Sequence, residues 1–282
     1  MKILVTGANG YLGQGIVRQL LDDGVQVVAA CRSSHSQIDP RAEIVQRDIF
    51  SVEDPYTELG EPDALLHLAW RNGFSHNAES HVEDLPKHYA FIKKLAASSI
   101  KQIAVMGSMH EVGFFEGSIH EDTPTNPMSL YGISKDALRR MTSLLCQEHH
   151  VCFQWLRGYY IVGNSEFGSS IFSKITAAEK EGKNLFPFTS GLNQWDFLDY
   201  GEFCRQTAAA VEQTRVTGVI NICSGRPEKL RDRVERFIRE NGYHIELDYG
   251  KYPDRPYDSK AVWGDDSKIR EIMRTYEHAK SI

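Results

Sequence analysis

A glycine-rich turn near the start of the chain places the strongest constraint on its fold. Gly7, Gly10 and Gly13 follow a short apolar run at residues 3–5 and precede residues 11–23, whose apolar side chains recur at helical spacing. Gly7 allows a tight turn, Gly10 lets the backbone approach a ligand, and Gly13 lets the helix pack closely on the strand. The N–H groups at the start of that helix would face a phosphate. The sequence therefore predicts a strand–turn–helix unit that binds the pyrophosphate of a dinucleotide.

Short apolar runs alternate with amphipathic stretches along the first half of the chain. This alternation predicts strands followed by helices, which form a parallel sheet covered by helices on both faces. The predicted strands are residues 2–6, 25–30, 44–45, 64–69, 102–106 and 151–156, and the predicted helices are residues 11–23, 83–98 and 129–149.

The pattern loosens after residue 157, where glycine, serine, asparagine and aromatic residues become frequent. Further helices are predicted at residues 169–182, 200–213, 228–240 and 265–275, and further strands at 218–222 and 244–248. The fold class that follows is α/β: a doubly wound parallel sheet (a Rossmann fold) with a smaller C-terminal substrate-binding lobe. We expect a dinucleotide-binding domain over residues 1–157. Residues 158–282 should form mainly the second lobe, with some segments returning to the Rossmann core.

Composition excludes several classes of function. The formal net charge of -6 argues against nucleic-acid binding and against a polybasic membrane surface. No stretch approaches the roughly 20 apolar residues that a membrane-spanning helix needs. The five cysteines form no Cys-x-x-Cys pair, so neither a disulfide framework nor a structural metal site is expected, and a reducing cytoplasm fits the chain.

The end of the second predicted strand bears on the choice of cofactor. An acidic residue there would bind the adenosine ribose of NAD, but this chain has Arg32 followed by Ser33 and Ser34. A guanidinium and two hydroxyls suit a 2′-phosphate. The sequence therefore predicts NADP, with NAD as the alternative.

A tyrosine and a lysine at helical spacing are the candidate catalytic pair. Tyr131 and Lys135 are four residues apart and so share one face of the predicted helix 129–149. A nearby ammonium stabilises a phenolate, which brings a tyrosine with an ordinary pKa of about 10 closer to neutral pH. Ser108 follows the fifth predicted strand and is placed to hold a substrate carbonyl.

Several segments together resemble the extended short-chain dehydrogenases/reductases of the NAD-dependent epimerase/dehydratase family. The resemblance extends along nearly the whole chain. The matching segments are residues 6–13, Asp48-Ile49, His67-Leu68-Ala69-Trp70, Ser108, Tyr131, Lys135, Trp195-Asp196-Phe197-Leu198, residues 221–225, and Tyr252-Pro253-Asp254-Arg255-Pro256.

The resemblance implies a set of binding residues and a substrate class. Nucleoside-diphosphate sugars are the implied substrates, and the implied assembly is a homodimer that pairs through helices 83–98 and 129–149. The catalytic residues would be Ser108, Tyr131 and Lys135, and the substrate-binding residues Trp70, Ser108, His110, Tyr160 and Arg255. With Arg32 added, the expected cofactor-binding residues are Gly7, Asn9, Gly10, Tyr11, Leu12, Gly13, Arg32, Asp48, Ile49, Leu68, Ala69, Tyr131 and Lys135.

Two departures from the family pattern narrow the expected reaction. Family dehydratases follow the catalytic hydroxyl with Asp-Glu, whereas Ser108 is followed by Met109 and His110, so water elimination is not expected. Tyr160 stands where many members have a substrate-binding asparagine. His110 has two readings, a substrate contact or an ordinary hydrogen-bonded histidine.

The expected function is NADPH-dependent reduction of a nucleoside-diphosphate 4-keto-6-deoxy sugar to the corresponding deoxyhexose. Tyr131 would donate the proton, Lys135 would support the phenolate, and Ser108 would position the carbonyl. One alternative is a nucleotide-sugar 4-epimerase with tightly bound NAD. Another is a dinucleotide-binding sensor without catalysis, for which Ser108, Tyr131 and Lys135 would be unnecessary.

Overall fold

Strands and helices alternate along the chain in the computed structural model, which describes residues 1–32, 37–163, 170–254 and 258–280. The strands are β1 (Lys2–Thr6), β2 (Gln26–Cys31), β3 (Glu43–Gln46), β4 (Ala64–His67), β5 (Gln102–Ser108), β6 (Gly117–Ile119), β7 (Cys152–Gly158), β8 (Tyr160–Val162), β9 (Leu185–Pro187), β10 (Gln194–Asp199), β11 (Gly218–Ile222), β12 (Pro227–Lys229), β13 (Glu246–Asp248) and β14 (Ala261–Gly264). The helices are α1 (Tyr11–Asp22), α2 (Pro55–Glu58), α3 (Ser80–Ala96), α4 (Leu130–Glu148), α5 (Ile171–Lys180), α6 (Tyr200–Val211), α7 (Leu230–Glu240) and α8 (Ser267–Lys280), with a 3₁₀ helix at Met109–Glu111.

A seven-stranded parallel sheet forms the centre of the fold, in the order β3-β2-β1-β4-β5-β7-β11. Strands β4 and β5 are buried along their whole length, as expected for a sheet covered on both faces. Buried side chains of α1, α6 and α8 pack on one face, and those of α3 and α4 on the other. The doubly wound parallel sheet is thereby confirmed. The chain order reverses between β1 and β4, and in such sheets ligands bind outside the carboxyl ends of the strands at that point.

The remaining strands form a smaller layer outside the central sheet. Strands β12, β10, β14 and β6 form one sheet, β8 pairs with β10, and β13 pairs with β9. An apolar cluster packs between these strands and helices α5 and α7, and it includes Phe172, Phe197, Val234 and Phe237. Most of these strands were not predicted, because three-residue strands show no alternation and their partners are distant in sequence. The division into domains at residue 157 stays a prediction. None of the helices in the described ranges has the length and apolar character that crossing a bilayer requires.

The buried carboxylate of Asp196 joins three segments of this smaller layer. It lies on β10 and accepts hydrogen bonds from Ser224 N (2.8 Å), Ser224 Oγ (2.7 Å), Gly225 N (3.0 Å) and Gly264 N (3.2 Å). Burial raises its pKa, and these hydrogen bonds to the ionised form oppose that rise. The carboxylate thus holds the turn after β11 and the end of β14 against β10.

We expect Asp196→Asn to lower the free energy of unfolding by roughly 2–4 kcal/mol, because an amide NH₂ would face buried donors that then lose their acceptor. Urea unfolding followed by circular dichroism measures the change. Asp232→Asn is the matched control, since the Asp232 side chain is 52% exposed and pairs with its neighbour Arg231 at the surface. Equal stability of the two variants would contradict the structural role of Asp196.

Candidate active site

The glycine turn after β1 forms a cradle suited to a phosphate. Gly7 has a φ of +69°, and a Cβ there would lie 2.8 Å from Ala69 N. A Cβ at Gly13 would lie 2.4 Å from the Gly7 carbonyl oxygen, so α1 packs on the turn as predicted. Gly10 precedes α1 and offers no side chain to accept hydrogen bonds from its first turn. The N-terminus of α1 is therefore available to a pyrophosphate, and the residues present fit a dinucleotide.

Neighbouring segments hold this phosphate turn in place. Asn9 Oδ1 accepts a hydrogen bond from Gln37 N at 2.7 Å, which joins the turn to the segment after β2. The Tyr200 hydroxyl donates to the Tyr11 carbonyl at 2.5 Å, and the two rings lie 4.4 Å apart. Leu12 is partly buried against the core. Two of the expected cofactor contacts, Asn9 and Tyr11, thus also fix the shape of the turn.

The other expected cofactor residues follow the ends of β2, β3 and β4. Arg32 is exposed directly after β2, and residues 33–36, which include Ser33 and Ser34, lie outside the described residues. Asp48 is exposed and accepts a hydrogen bond from Phe50 N, whereas Ile49 is buried. Leu68 N donates to Thr6 O (3.2 Å) and Ala69 N to Thr6 Oγ1 (3.4 Å). These strand ends border the crevice where the chain order reverses.

The candidate catalytic residues come together across β5 and the first turn of α4. Ser129 caps α4 by accepting a hydrogen bond from Gly132 N, and Tyr131 N donates to His76 O at 2.8 Å. Ser108 is the last residue of β5 and is buried. Burial raises the pKa of Tyr131 to about 12, opposite to the lowering expected from the Lys135 ammonium, and a hydrogen bond to Ser108 opposes that rise.

Lys135 lies one helical turn beyond Tyr131 and is buried. Its ammonium donates a hydrogen bond to Met106 O at 2.8 Å. Burial lowers the pKa of Lys135 to about 7, and the Glu111 carboxylate opposes that change. The Lys135 Nζ lies 3.9 Å from the centre of the Trp70 ring and 5.9 Å from that of Tyr131.

Glu111 belongs to this site and was not predicted. Its fully buried carboxylate accepts hydrogen bonds from Ser108 N and from Trp155 Nε1 (2.9 and 2.8 Å), and lies 3.5 Å from Arg157 Nε. Burial raises the pKa of Glu111, and the charge of Arg157 opposes the rise. The Ser-x-x-Glu spacing from Ser108 to Glu111 is a capping-box signal that could have identified it.

Aromatic side chains surround the Tyr131 ring. His76 stacks on it, with 5.3 Å between ring centres, and His110 lies 4.4 Å from His76 and 6.1 Å from Tyr131. Burial lowers the pKa of His110 to about 4, so its imidazole is neutral at physiological pH. Trp70 contacts Tyr131 edge-on at 6.1 Å. Within the described ranges, no group of three or more His, Cys, Asp or Glu side chains could hold a metal ion.

The remaining expected substrate residues lie elsewhere. Tyr160, on β8, stacks on Trp195 with 4.7 Å between ring centres and contacts Phe197. Arg255 lies outside the described residues. The structure therefore brings Ser108, Tyr131, Lys135, Trp70 and His110 together, and it places Tyr160 against the aromatic side chains of β10.

Known proteins resemble this chain over most of its length. The sequence profile of the NAD dependent epimerase/dehydratase family matches residues 3–223. A dTDP-6-deoxy-L-talose 4-dehydrogenase (NAD(+)) from Aggregatibacter actinomycetemcomitans is 42% identical over 270 residues, which cover 94% of this chain and 99% of the relative. A UDP-glucose 4-epimerase from Lactobacillus helveticus is 28% identical over 97% of this chain and 91% of its own.

Solved structures share the fold at low sequence identity. The UDP-glucose 4-epimerase of Thermotoga maritima, solved with UDP-glucose, superposes with a TM-score of 0.81 at 21% identity and covers 96% of this chain and 92% of its own. The dTDP-glucose 4,6-dehydratase of Streptomyces venezuelae, solved with NAD, has a TM-score of 0.80 at 18% identity, with 96% and 90% covered. The chain therefore belongs to the NAD dependent epimerase/dehydratase family and is a nicotinamide-dinucleotide-dependent enzyme of the extended short-chain dehydrogenase/reductase type.

Proposed function

We propose that the protein reduces the 4-keto group of a nucleoside-diphosphate 6-deoxyhexose. The buried group of Ser108, Tyr131 and Lys135 supports proton transfer at a carbonyl, and the exposed Arg32, suited to an NADPH that exchanges in every cycle, favours reduction over epimerisation. The 42%-identical relative, named for oxidation at C4 of a dTDP-linked 6-deoxyhexose, supports the same reaction in reverse. The bound dinucleotide would supply the hydride to C4 of the sugar.

Each of the three side chains has a separate task in this reaction. The Ser108 hydroxyl holds the carbonyl oxygen, and Tyr131 Oη gives its proton to that oxygen as the C4–H bond forms. The Lys135 ammonium stabilises the phenolate that remains. Because burial raises the pKa of Tyr131 to about 12, the tyrosine holds its proton at neutral pH until the carbonyl oxygen becomes basic.

A 4-epimerase with bound NAD is the second candidate. It uses the same three residues, and the 28%-identical relative is named for that reaction. A 4,6-dehydratase has less support, because Met109 is apolar and His110 is held neutral where family dehydratases have Asp-Glu.

The proposal includes NADP as the cofactor. Its support is the exposed guanidinium of Arg32 at the end of β2, where no carboxylate is present to bind a ribose. The NAD(+) in the name of the 42%-identical relative supports the alternative. Arg32 is therefore the residue on which the choice of cofactor is tested.

The proposal also places the enzyme in the cytoplasm as a homodimer that pairs through α3 and α4. The two helices contact each other along one face of the central sheet. Val82 on α3, and Ile133 and Leu144 on α4, are exposed apolar side chains that a partner subunit would cover.

We expect Tyr131→Phe to lower kcat by at least about 10²-fold, because only the proton donor is removed. The dissociation constant of the cofactor, measured by fluorescence titration, should change less than threefold or so. Tyr56→Phe, on α2 and outside the site, is the matched control. Full turnover in Tyr131→Phe would rule out the proposed proton transfer.

Arg32→Asp tests the choice of cofactor. Loss of a charge-assisted contact worth about 1.5–3 kcal/mol should weaken NADPH binding by about 10- to 100-fold, with NADH binding unchanged or tighter. Arg274→Asp, on the exposed side of α8, controls for the change in net charge. If the unmodified protein binds NADH more tightly than NADPH, NAD replaces NADP in the proposal.

The fate of the cofactor separates a reductase from an epimerase. A reductase should oxidise one NADPH per sugar reduced and emerge from gel filtration with little bound dinucleotide. The assay follows absorbance of the reduced cofactor with a panel of nucleoside-diphosphate 4-keto sugars. Stoichiometric bound NAD, with interconversion of 4-hydroxy epimers without added cofactor, would establish the epimerase instead.

A further inference from the structure

The indole of Trp70 covers the buried ammonium of Lys135. Lys135 is 4% exposed, and its Nζ lies 3.9 Å from the centre of the Trp70 ring. The hydrogen bond that the ammonium makes, to Met106 O, leaves two of its N–H groups for other partners. A ring face at this distance attracts a cation, and the attraction is larger where water is excluded.

Two histidines hold the Trp70 ring in this position. Trp70 Nε1 donates to His81 Nδ1 at 3.0 Å, and His88 stacks on the indole at 4.6 Å with 16° between the ring planes. His81 Nε2 lies 3.0 Å from the carbonyl oxygen of Ser75, which can only accept. The His81 proton therefore lies on Nε2, and Nδ1 is free to accept from the indole. The ring is fixed by a hydrogen bond at its edge and by stacking on its face.

The titratable groups around Lys135 include one carboxylate, and other residues already pair with that carboxylate. The titratable groups are Glu111 on the 3₁₀ helix, His67 at the end of β4, His88 on α3 and Tyr131 on α4. Burial and the charge of Lys135 lower the pKa values of His67 and His88, so both are neutral. The Glu111 carboxylate is shared with Arg157, 3.5 Å away, with Arg139 on α4, 3.9 Å away, and with Trp155.

We propose that Trp70 is a positioning residue that keeps Lys135 in its ammonium form through a cation–π contact. This inference rests on the proposed function, in which the Lys135 charge stabilises the Tyr131 phenolate. Burial already lowers the pKa of Lys135 to about 7, so loss of the ring face would leave much of the side chain neutral at physiological pH. Trp70 thereby acts on the proton transfer through Lys135.

The test is a direct pH titration of Lys135 in the cofactor-free protein. Lysine labelled with ¹³C at Cε reports protonation by NMR, and Lys135→Met assigns the resonance. Trp70→Leu and Trp70→Phe form a matched pair, since both are apolar and both lose the hydrogen bond to His81, but only phenylalanine keeps a ring face. We expect the Lys135 pKa to fall by about one unit in Trp70→Leu and by clearly less in Trp70→Phe.

The pH dependence of kcat/KM should change in the same way. The protonated lysine is the active form, so a lower Lys135 pKa moves the alkaline limb of the profile to lower pH, by about one unit in Trp70→Leu. An unchanged Lys135 pKa in Trp70→Leu, or equal shifts in the two variants, would overturn the proposal. If Trp70→Leu does not fold, Trp70→Met, which is also apolar and has no ring face, replaces it in the same comparison, and an unchanged Lys135 pKa in Trp70→Met overturns the proposal. Because the NMR titration needs no substrate, failure to reduce any 4-keto sugar would overturn the proposed function alone.

Discussion

A chain of buried hydrogen bonds at the carboxyl ends of β1 and β4 fixes the geometry on which the site depends. Thr6 Oγ1 lies 2.8 Å from His67 Nδ1, and His67 Nε2 lies 2.8 Å from His88 Nδ1 on α3. The phosphate turn begins directly after Thr6, and the segment that leads to Trp70 begins directly after His67. One polar connection therefore joins the strand that leads into the phosphate turn, the strand that leads to Trp70, and α3. Polar side chains are tolerated in a protein core where each of them has a hydrogen-bond partner, as these three do.

Local signals account for the parts of this structure that could be predicted from sequence. The phosphate turn and the Tyr131–Lys135 spacing each lie within one strand–turn–helix unit or one helix, so adjacent residues determine them. The parallel sheet covered on both faces follows from alternating strands and helices, because parallel neighbours need a crossover connection, usually a helix. His67, in contrast, is matched only by resemblance, and its bond to His88 depends on the packing of α3.

The parts that could not be predicted depend on contacts between distant segments. Glu111 meets Trp155 and Arg157 only because β5 and β7 are neighbours in the sheet. The stacking of His76 on Tyr131 depends on a loop before α3 that hydrogen-bonds to the start of α4. Neither contact has a periodic pattern in the sequence. The Ser-x-x-Glu spacing from Ser108 to Glu111 still gives a partial signal for the position of Glu111 itself.

The contact between Tyr200 and the backbone of Tyr11 connects the phosphate turn to the smaller layer of strands. Tyr200 is the first residue of α6, which follows directly from β10, whereas Tyr11 begins the helix behind the phosphate turn. A ligand at the smaller layer that strengthened this contact would raise the affinity of the turn for a dinucleotide. By linkage, the dinucleotide would then raise the affinity for that ligand by the same factor.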